Sequence, residues 1–457
     1  MRLLPVFALL FAAPTSAALH PLDPADKAAI DRAAADVLKR TQVPAASIAV
    51  VQDGRIVYAK AYGEQAAGVP ARTDARYPIA SISKQITATA ILMLADRHRL
   101  TLDDPVARWE PTLTQANRIT VRQILSHTSG YRDYWPQDYA FAAMERPTTP
   151  DAVLARWAKV PLDFAPGSQY QYSNTGYVIA GRIVEKASGQ PLLPYLAAHI
   201  FKPLGMTSAV DADTGMTSAD AHPHGRYALG PVREEKPAAA GWLFAAGELA
   251  MTASDLARWD IGMIDRRLLS PASYAAQRTA VALPGGQKND YGLGVDIDTV
   301  SGHRRLHHGG EAVGFLSENR VYPDDRAAIV VLDNADFGNA ETAIADRIEA
   351  ILLGGDGGGT ARARSLYDAL RRGTLDPSLL TANARYYFKP TALADYRASL
   401  SALPEPDGVT RIASALRGGF TEEVYRLRFP GRTLVAVLRA EPGVRGRVEQ
   451  FTIFPAD

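Results

Sequence analysis

A chain of 457 residues is longer than one average domain and comfortable for two. Hydrophobic residues at 47% against 22% charged give an ordinary globular balance, and 50 Lys+Arg against 49 Asp+Glu leave a net charge of +1. That near-neutrality gives no electrostatic footing for nucleic acid or an anionic membrane as partner, and the lack of cysteine excludes disulfides, thiol catalysis and a lipid-modified N-terminal Cys.

Arg2 precedes an apolar run, Leu3 to Ala13, which ends in Pro14-Thr15-Ser16-Ala17-Ala18. A basic start, a short apolar run and small residues predict a secretory signal peptide over 1–18, cleaved after Ala17 or Ala18, and a periplasmic or secreted protein. The run is too short for a bilayer, and no other segment approaches that length, so no stable membrane span is expected. Ser47–Val51 and Arg55–Ala59 are β-rich and flank Gln52-Asp53-Gly54, a hairpin pattern. Pro78 disfavours helix at Tyr77, and Ser81 to Asp96 contains no Pro or Gly, so Ser81 is expected to open a helix. Ile119–Leu125, Tyr177–Ala187 and Ala340–Leu353 read as further helices. Asn319–Tyr322 and Ala328–Leu332 flank Pro323-Asp324-Asp325-Arg326 as a second hairpin. Strands at both ends with helices between predict an α+β fold, an antiparallel sheet carrying a helical lobe.

Gly354-Gly355-Asp356-Gly357-Gly358-Gly359 resists regular structure and predicts a flexible linker over 354–364. No Gly-Lys-Ser/Thr follows, so it is not a phosphate loop. A small α+β accessory domain is expected over 365–457. Asp376-Pro377 marks a helix start, and Leu393, Tyr396 and Leu400 share a helical face. Glu422–Phe429, Arg432–Arg439 and Arg447–Phe454 read as strands separated by Pro430-Gly431 and Glu441–Gly446.

Three short stretches carry chemistry. In Ser81-Ile82-Ser83-Lys84, residues three apart on a helix share a face, which puts the Lys84 amine beside the Ser81 hydroxyl. A serine needs such a base to attack a carbonyl, and a helix start supplies N–H groups for an oxyanion. Alone, S-x-x-K reads equally as a surface Ser and Lys on a solvated helix. Tyr172 and Asn174, two apart in an expected loop, offer a phenol for proton transfer and an amide for a substrate carbonyl. His307-His308-Gly309-Gly310-Glu311 has glycines that let a strand backbone approach a ligand.

In this order the motifs resemble the serine β-lactamase and penicillin-binding superfamily, in its class C-like branch, with S-x-x-K, Y-x-N and K/H-x-G. That branch holds β-lactamases, D,D-carboxypeptidases, D-aminopeptidases and esterases. The flanks Ile119–Gly130, Pro203-Leu204-Gly205-Met206 and Tyr291-Gly292-Leu293-Gly294 are similar too, and the likeness runs from about Leu22 to Leu353, which sets a hydrolase domain at 19–353. The resemblance implies a β-lactamase/DD-peptidase-like fold and a site without metal or organic cofactor. Ser81 is implied as the acylated nucleophile, Lys84 and Tyr172 as sharing the proton work, and Asn174 as orienting Lys84 and the substrate amide. The N–H groups of Ser81 and Glu311 are implied as the oxyanion hole, with His308 on the opposite wall and Gly310 among the substrate-binding residues. Which of Lys84 and Tyr172 is the base stays open.

A lysine's ordinary pKa of about 10.4 makes it a poor base at neutrality, so the role demands a depression of roughly three units, about 4 kcal/mol. Burial supplies shifts of that size, and the helix bearing Lys84 is apolar nearly all round. Alternatively Lys84 stays charged and lowers Tyr172. Histidine where relatives often carry lysine attracts a carboxylate less, which weakens the reading as a β-lactamase proper. His307 and His308 as metal ligands lack an H-E-x-x-H pattern or a neighbouring carboxylate set. His127 and Ser129 do not form G-x-S-x-G, so their loop reads as structural. Tyr131, Tyr134 and Trp135 fit either core or pocket. The expected function is hydrolysis of an amide or ester, a D-amino-acid peptide or small carboxylic ester, through an acyl-enzyme on Ser81. The expected partner is a small-molecule or peptide substrate, with oligomeric state open. A non-catalytic sensor that keeps the fold is the alternative from another class.

Overall fold

The computed structural model describes residues 19–137, 139–284, 289–353, 357–441 and 446–456. The expected signal peptide lies outside them. Helix α1 (Pro24–Thr41) starts at a capping box: Asp23 accepts the Asp26 N–H and Asp26 accepts the Asp23 N–H. Strands β1 (Ala45–Gln52), β2 (Arg55–Ala66) and β3 (Val69–Pro70) follow. Three helices then matter to the site: α2 (Ser83–Asp96), α3 (Asn174–Ser188) and α4 (Ala253–Ile264). Strands β4 (Asp296–Val300), β5 (His303–Ala312), β6 (Phe315–Tyr322) and β7 (Ala327–Asp333) precede α5 (Ala340–Leu352).

All seven strands form one antiparallel sheet in the order β3-β2-β1-β7-β6-β5-β4. Both expected hairpins are present. Asp53 and Gly54 take the left-handed conformation between β1 and β2, as a two-residue loop requires. The centre of the sheet is the pairing of β1 with β7, from Ala46 opposite Asp333 to Val51 opposite Ala328. Their residues are buried without alternation because the sheet is covered on both faces, with α4 packed on one of them. The chain between β3 and β4 is largely helical, and α2 and α3 pack on each other inside one continuous apolar core.

The chain divides into two compact units, with the break between Ile348 and Glu349. In the second unit α6 (Gly357–Arg372), α7 (Ala382–Tyr387) and α8 (Pro390–Ser401) accompany a sheet of β8 (Gly408–Arg417), β9 (Phe420–Phe429), β10 (Arg432–Ala440) and β11 (Val448–Pro455), in that order. Its core includes Ala363, Leu366, Tyr367 and Leu370 from α6 with Tyr425, Leu427 and Phe451 from the sheet. The linker expected at 354–364 is therefore corrected over 357–364, which are helical. The buried Ala363, Leu366, Tyr367 and Leu370 stripe outweighs the cost of about 1 kcal/mol per glycine in a helix. Two other details differ. Asp376-Pro377 opens only a 3₁₀ turn, Pro377–Leu379, and the helix waits for the Thr381 cap. Strand β8 was not anticipated, because its edge position and mixed residues give no period-2 signal.

Candidate active site

Ser81 does not open an α-helix. It sits in a 3₁₀ turn, Ala80–Ile82, and the α-helix proper begins at Ser83. Ala80 holds φ 45°, the left-handed region that non-glycine residues avoid, so the chain enters α2 through a sharp, strained corner. The corner keeps the expected adjacency: Lys84 Nζ lies 2.9 Å from Ser81 Oγ. The helix below it is buried on every side, Ser83 to Leu94.

Tyr172 lies in the loop before α3, and Asn174 is the first residue of that helix, behind a Ser173 cap that accepts the Gly176 N–H at 3.2 Å. Lys84 Nζ also stands 2.8 Å from Asn174 Oδ1 and 2.8 Å from the Ala246 carbonyl oxygen. The Tyr172 phenol makes a hydrogen-bond contact with the Ser81 side chain, and Lys84 Nζ is 4.8 Å from the centre of its ring.

Strand β5 brings the third motif against the Ser81 turn. Of its two glycines, Gly310 makes the close approach: a Cβ there would collide with the Ile79 carbonyl oxygen and the Ser317 hydroxyl, whereas one on Gly309 would make ordinary contacts, with Glu318 Oε2 at 3.7 Å and the Ser317 carbonyl oxygen at 3.8 Å. Gly310→Ala is expected to lower kcat/KM by about 10²-fold by pushing β5 off the turn. The same variant of Gly309, assayed alongside, should stay within a few-fold.

Ser81, Tyr172, Asn174 and Glu311 open on a cleft of about 690 Å³. His308 does not. It is 4% exposed, and both ring nitrogens are occupied. Gly309 O, 2.6 Å from Nδ1, can only accept, so Nδ1 carries the proton and Nε2 accepts the Tyr291 hydroxyl at 3.0 Å. The expectation that His308 lines the opposite wall is corrected: its ring is spent on Tyr291 and on its own backbone. The same bonds remove it as a metal ligand.

Burial governs the charges. It lowers Lys84 to about 7, against a smaller upward pull from the Asp133 carboxylate. It raises Tyr172 well above its ordinary value, a rise that the Ser81 contact offsets only in part. It lowers His308 to about 3, helped by the Lys84 charge. Near neutrality the site therefore holds a lysine that is partly neutral, a protonated tyrosine and a neutral histidine. The alternative in which Lys84 stays charged and Tyr172 ionises is not what these environments favour.

Two residues of the site were not assigned to it from the sequence. His127 accepts the Ser173 N–H on Nδ1 at 3.1 Å, and its ring lies 4.3 Å from that of Tyr172 and 4.7 Å from that of Tyr291. Asp133 accepts the Asn174 N–H at 3.0 Å and the Asn174 side-chain amide at 3.3 Å. His127 lies in a stretch read as structural, and a lone Asp in a turn carries no distinguishing signal. Tyr131 and Tyr134 nearby are core, each 2% exposed, while Trp135 lines the cleft.

The Beta-lactamase family model matches residues 30–353. Esterase EstB of Burkholderia gladioli is 36% identical over 229 residues, which cover 45% of this chain and 57% of that protein. A D-aminopeptidase of Cereibacter sphaeroides is 31% identical over 337 residues, 68% of this chain and 60% of that protein. The chain thus spans less than two thirds of the length of either. A solved D-stereospecific amidohydrolase from Streptomyces sp. superposes with a TM-score of 0.62 at 29% identity, covering 71% of this chain and 98% of that one. With the match covering more than two thirds of the sequence and the three motifs converging on one turn, this chain belongs to the beta-lactamase family.

Proposed function

We propose that the protein is a serine hydrolase that cleaves an amide or ester through an acyl-enzyme on Ser81. One observation carries this reading: the three partners of Lys84 Nζ. Asn174 Oδ1 and Ala246 O can only accept. A neutral amine has two N–H groups, which these two oxygens take. Its lone pair is left facing Ser81 Oγ, 2.9 Å away, within reach for general-base catalysis. Ser81 Oγ bonds to the substrate carbonyl carbon as its proton passes to Lys84. The oxyanion lies between the N–H groups of Ser81 and Glu311. Tyr172, held protonated, delivers a proton to the departing nitrogen or oxygen, and the Lys84 ammonium replaces it. Water then attacks the acyl carbon as its proton passes to Lys84, the bond to Ser81 Oγ breaks, and Lys84 returns that proton to Ser81.

The cleft also bears on the substrate. It is lined by four carboxylates, Asp133, Glu235, Glu311 and Asp336, against two cations, Arg226 and Lys236, and His308 contributes no charge. A substrate carboxylate meets no net attraction there. Neutral esters and D-amino-acid amides suit it better than D-Ala-D-Ala peptides or β-lactams. In a panel of p-nitrophenyl esters, D-amino-acid amides, D-Ala-D-Ala peptides and nitrocefin, the carboxylate-bearing pair is expected to trail by at least about tenfold in kcat/KM. Preferential turnover of nitrocefin would reverse this assignment. A fluorophosphonate probe with peptide mapping separates the hydrolase from a binding-only protein, which would yield no adduct on Ser81.

The similarity to an esterase and D-aminopeptidases supports the same reaction class. Among the described residues no helix is long and apolar enough to cross a membrane. We further infer export, from the signal-like pattern in residues 1–18. N-terminal sequencing of the protein from its native cells tests it: a start near Leu19 supports export, and an intact Met1 refutes it.

A further inference from the structure

The Lys84 geometry depends on which way the Asn174 carboxamide faces. Oxygen and nitrogen of that group occupy nearly equivalent space, so something must hold the oxygen toward Lys84. Within the described structure the group that does so is a carboxylate. Asp133 Oδ2 accepts from Asn174 Nδ2 at 3.3 Å, and Oδ1 accepts the Asn174 backbone N–H at 3.0 Å and the Trp135 N–H at 3.2 Å. A carboxylate has no donor, so it can face only the NH₂ end of the amide. Were the amide reversed, its NH₂ would point at Lys84 and compete with the Ser81 hydroxyl for the amine lone pair. We propose that Asp133 is a positioning residue, one that locks the Asn174 carboxamide with its oxygen toward Lys84 and so aims the lysine lone pair at Ser81.

The loop carrying Asp133 is built to hold it there. His127 O accepts the Gln171 N–H at 3.0 Å and His127 Nδ1 accepts the Ser173 N–H at 3.1 Å, so one loop grips the Y-x-N segment at Gln171, Ser173 and Asn174. Gly130 makes the turn between them: it has φ 83°, and a Cβ there would collide with the Phe164 carbonyl oxygen. Asp133 also supplies a negative charge near Lys84. The other ionisable groups around that amine are the imidazoles of His127 and His308 and the phenols of Tyr172 and Tyr177.

The inference rests on Lys84 being the base, and the test distinguishes the two. Asp133→Asn replaces two acceptors by one acceptor and one donor, which favours the reversed Asn174 amide. The expected result is a fall in kcat of about 10²-fold and an acid limb of kcat/KM moved down by about one pH unit, since the carboxylate no longer favours the ammonium. A purely structural residue would lower the amount of folded enzyme without moving the limb in that direction. Asp133→Glu keeps the charge but misplaces it, so kcat should fall at least tenfold with the limb unmoved. Adding Asp133→Asn to Asn174→Ala should cost less than about threefold further, because one acts through the other. Wild-type kcat with an unmoved limb in Asp133→Asn, or full multiplication of the two effects, would overturn the proposal. If Asp133→Asn does not fold, Asp133→Glu decides alone: wild-type kcat there overturns it. A wild-type profile with no acid limb between about pH 5 and 9 would sink the base assignment first, and this inference with it.

Discussion

Alanine in place of Ser81 is expected to reduce kcat/KM by at least about 10⁴-fold while leaving the protein folded. Among the described residues lining the cleft, Ser81 alone has a basic amine in contact with its hydroxyl, 2.9 Å from Lys84 Nζ, so no neighbour among them can take over the covalent step. Ser83, two residues on, is no substitute: it is buried and its oxygen accepts the Leu249 N–H at 3.3 Å. The variant should also lose fluorophosphonate labelling at this position. An unaltered circular dichroism spectrum and thermal transition would confirm that the fold persists. Residual turnover within tenfold of wild type would mean that the reaction runs elsewhere.

Lys84→Met is expected to cost about 10³-fold in kcat, the middle of the range for a general base. It should also remove the acid limb, which in the wild type lies near 7, the value to which burial lowers the amine. The same ionisation makes stability depend on pH. The unfolded chain holds the lysine proton up to its ordinary value of 10.5, whereas the folded chain releases it near 7. Between these limits the unfolded state binds more protons, so stability rises with pH across that window, by up to about 5 kcal/mol in full. Below 7 both states are protonated and the whole penalty is present. Methionine cannot ionise, so the variant should lack this rise. At pH 7 the relief is opposed by the stranded Asn174 and Ala246 oxygens, at about 1–3 kcal/mol each. The slope of stability against pH is therefore the measurement to make. An equal rise in wild type and variant from pH 7 to 10 would show that the amine is not strained by burial.

Much of this was legible in the chain itself. The two hairpins, the burial of the helix bearing Lys84 and the three motifs in order needed only local pattern and spacing. So did the three-residue separation that sets an amine beside a hydroxyl. Even the size of the lysine shift could be demanded beforehand, because the chemistry fails without it. Other features were illegible for definite reasons. The glycine run hid a helix, since an apolar stripe further on stabilises it through packing that propensity does not record. His308 looked like a cleft residue, because spacing does not say that Tyr291, 17 positions earlier, will occupy its Nε2.

The identity of the proposed reacting groups belongs to the sequence: serine, lysine, tyrosine and asparagine, in that order and within reach of one another. Their protonation and aim belong to the fold. Burial sets the dielectric that neutralises Lys84 and keeps Tyr172 protonated. An amide has no preferred end until a partner chooses one. Here the choice falls to Asp133, 41 residues away along the chain and 3.3 Å away in space.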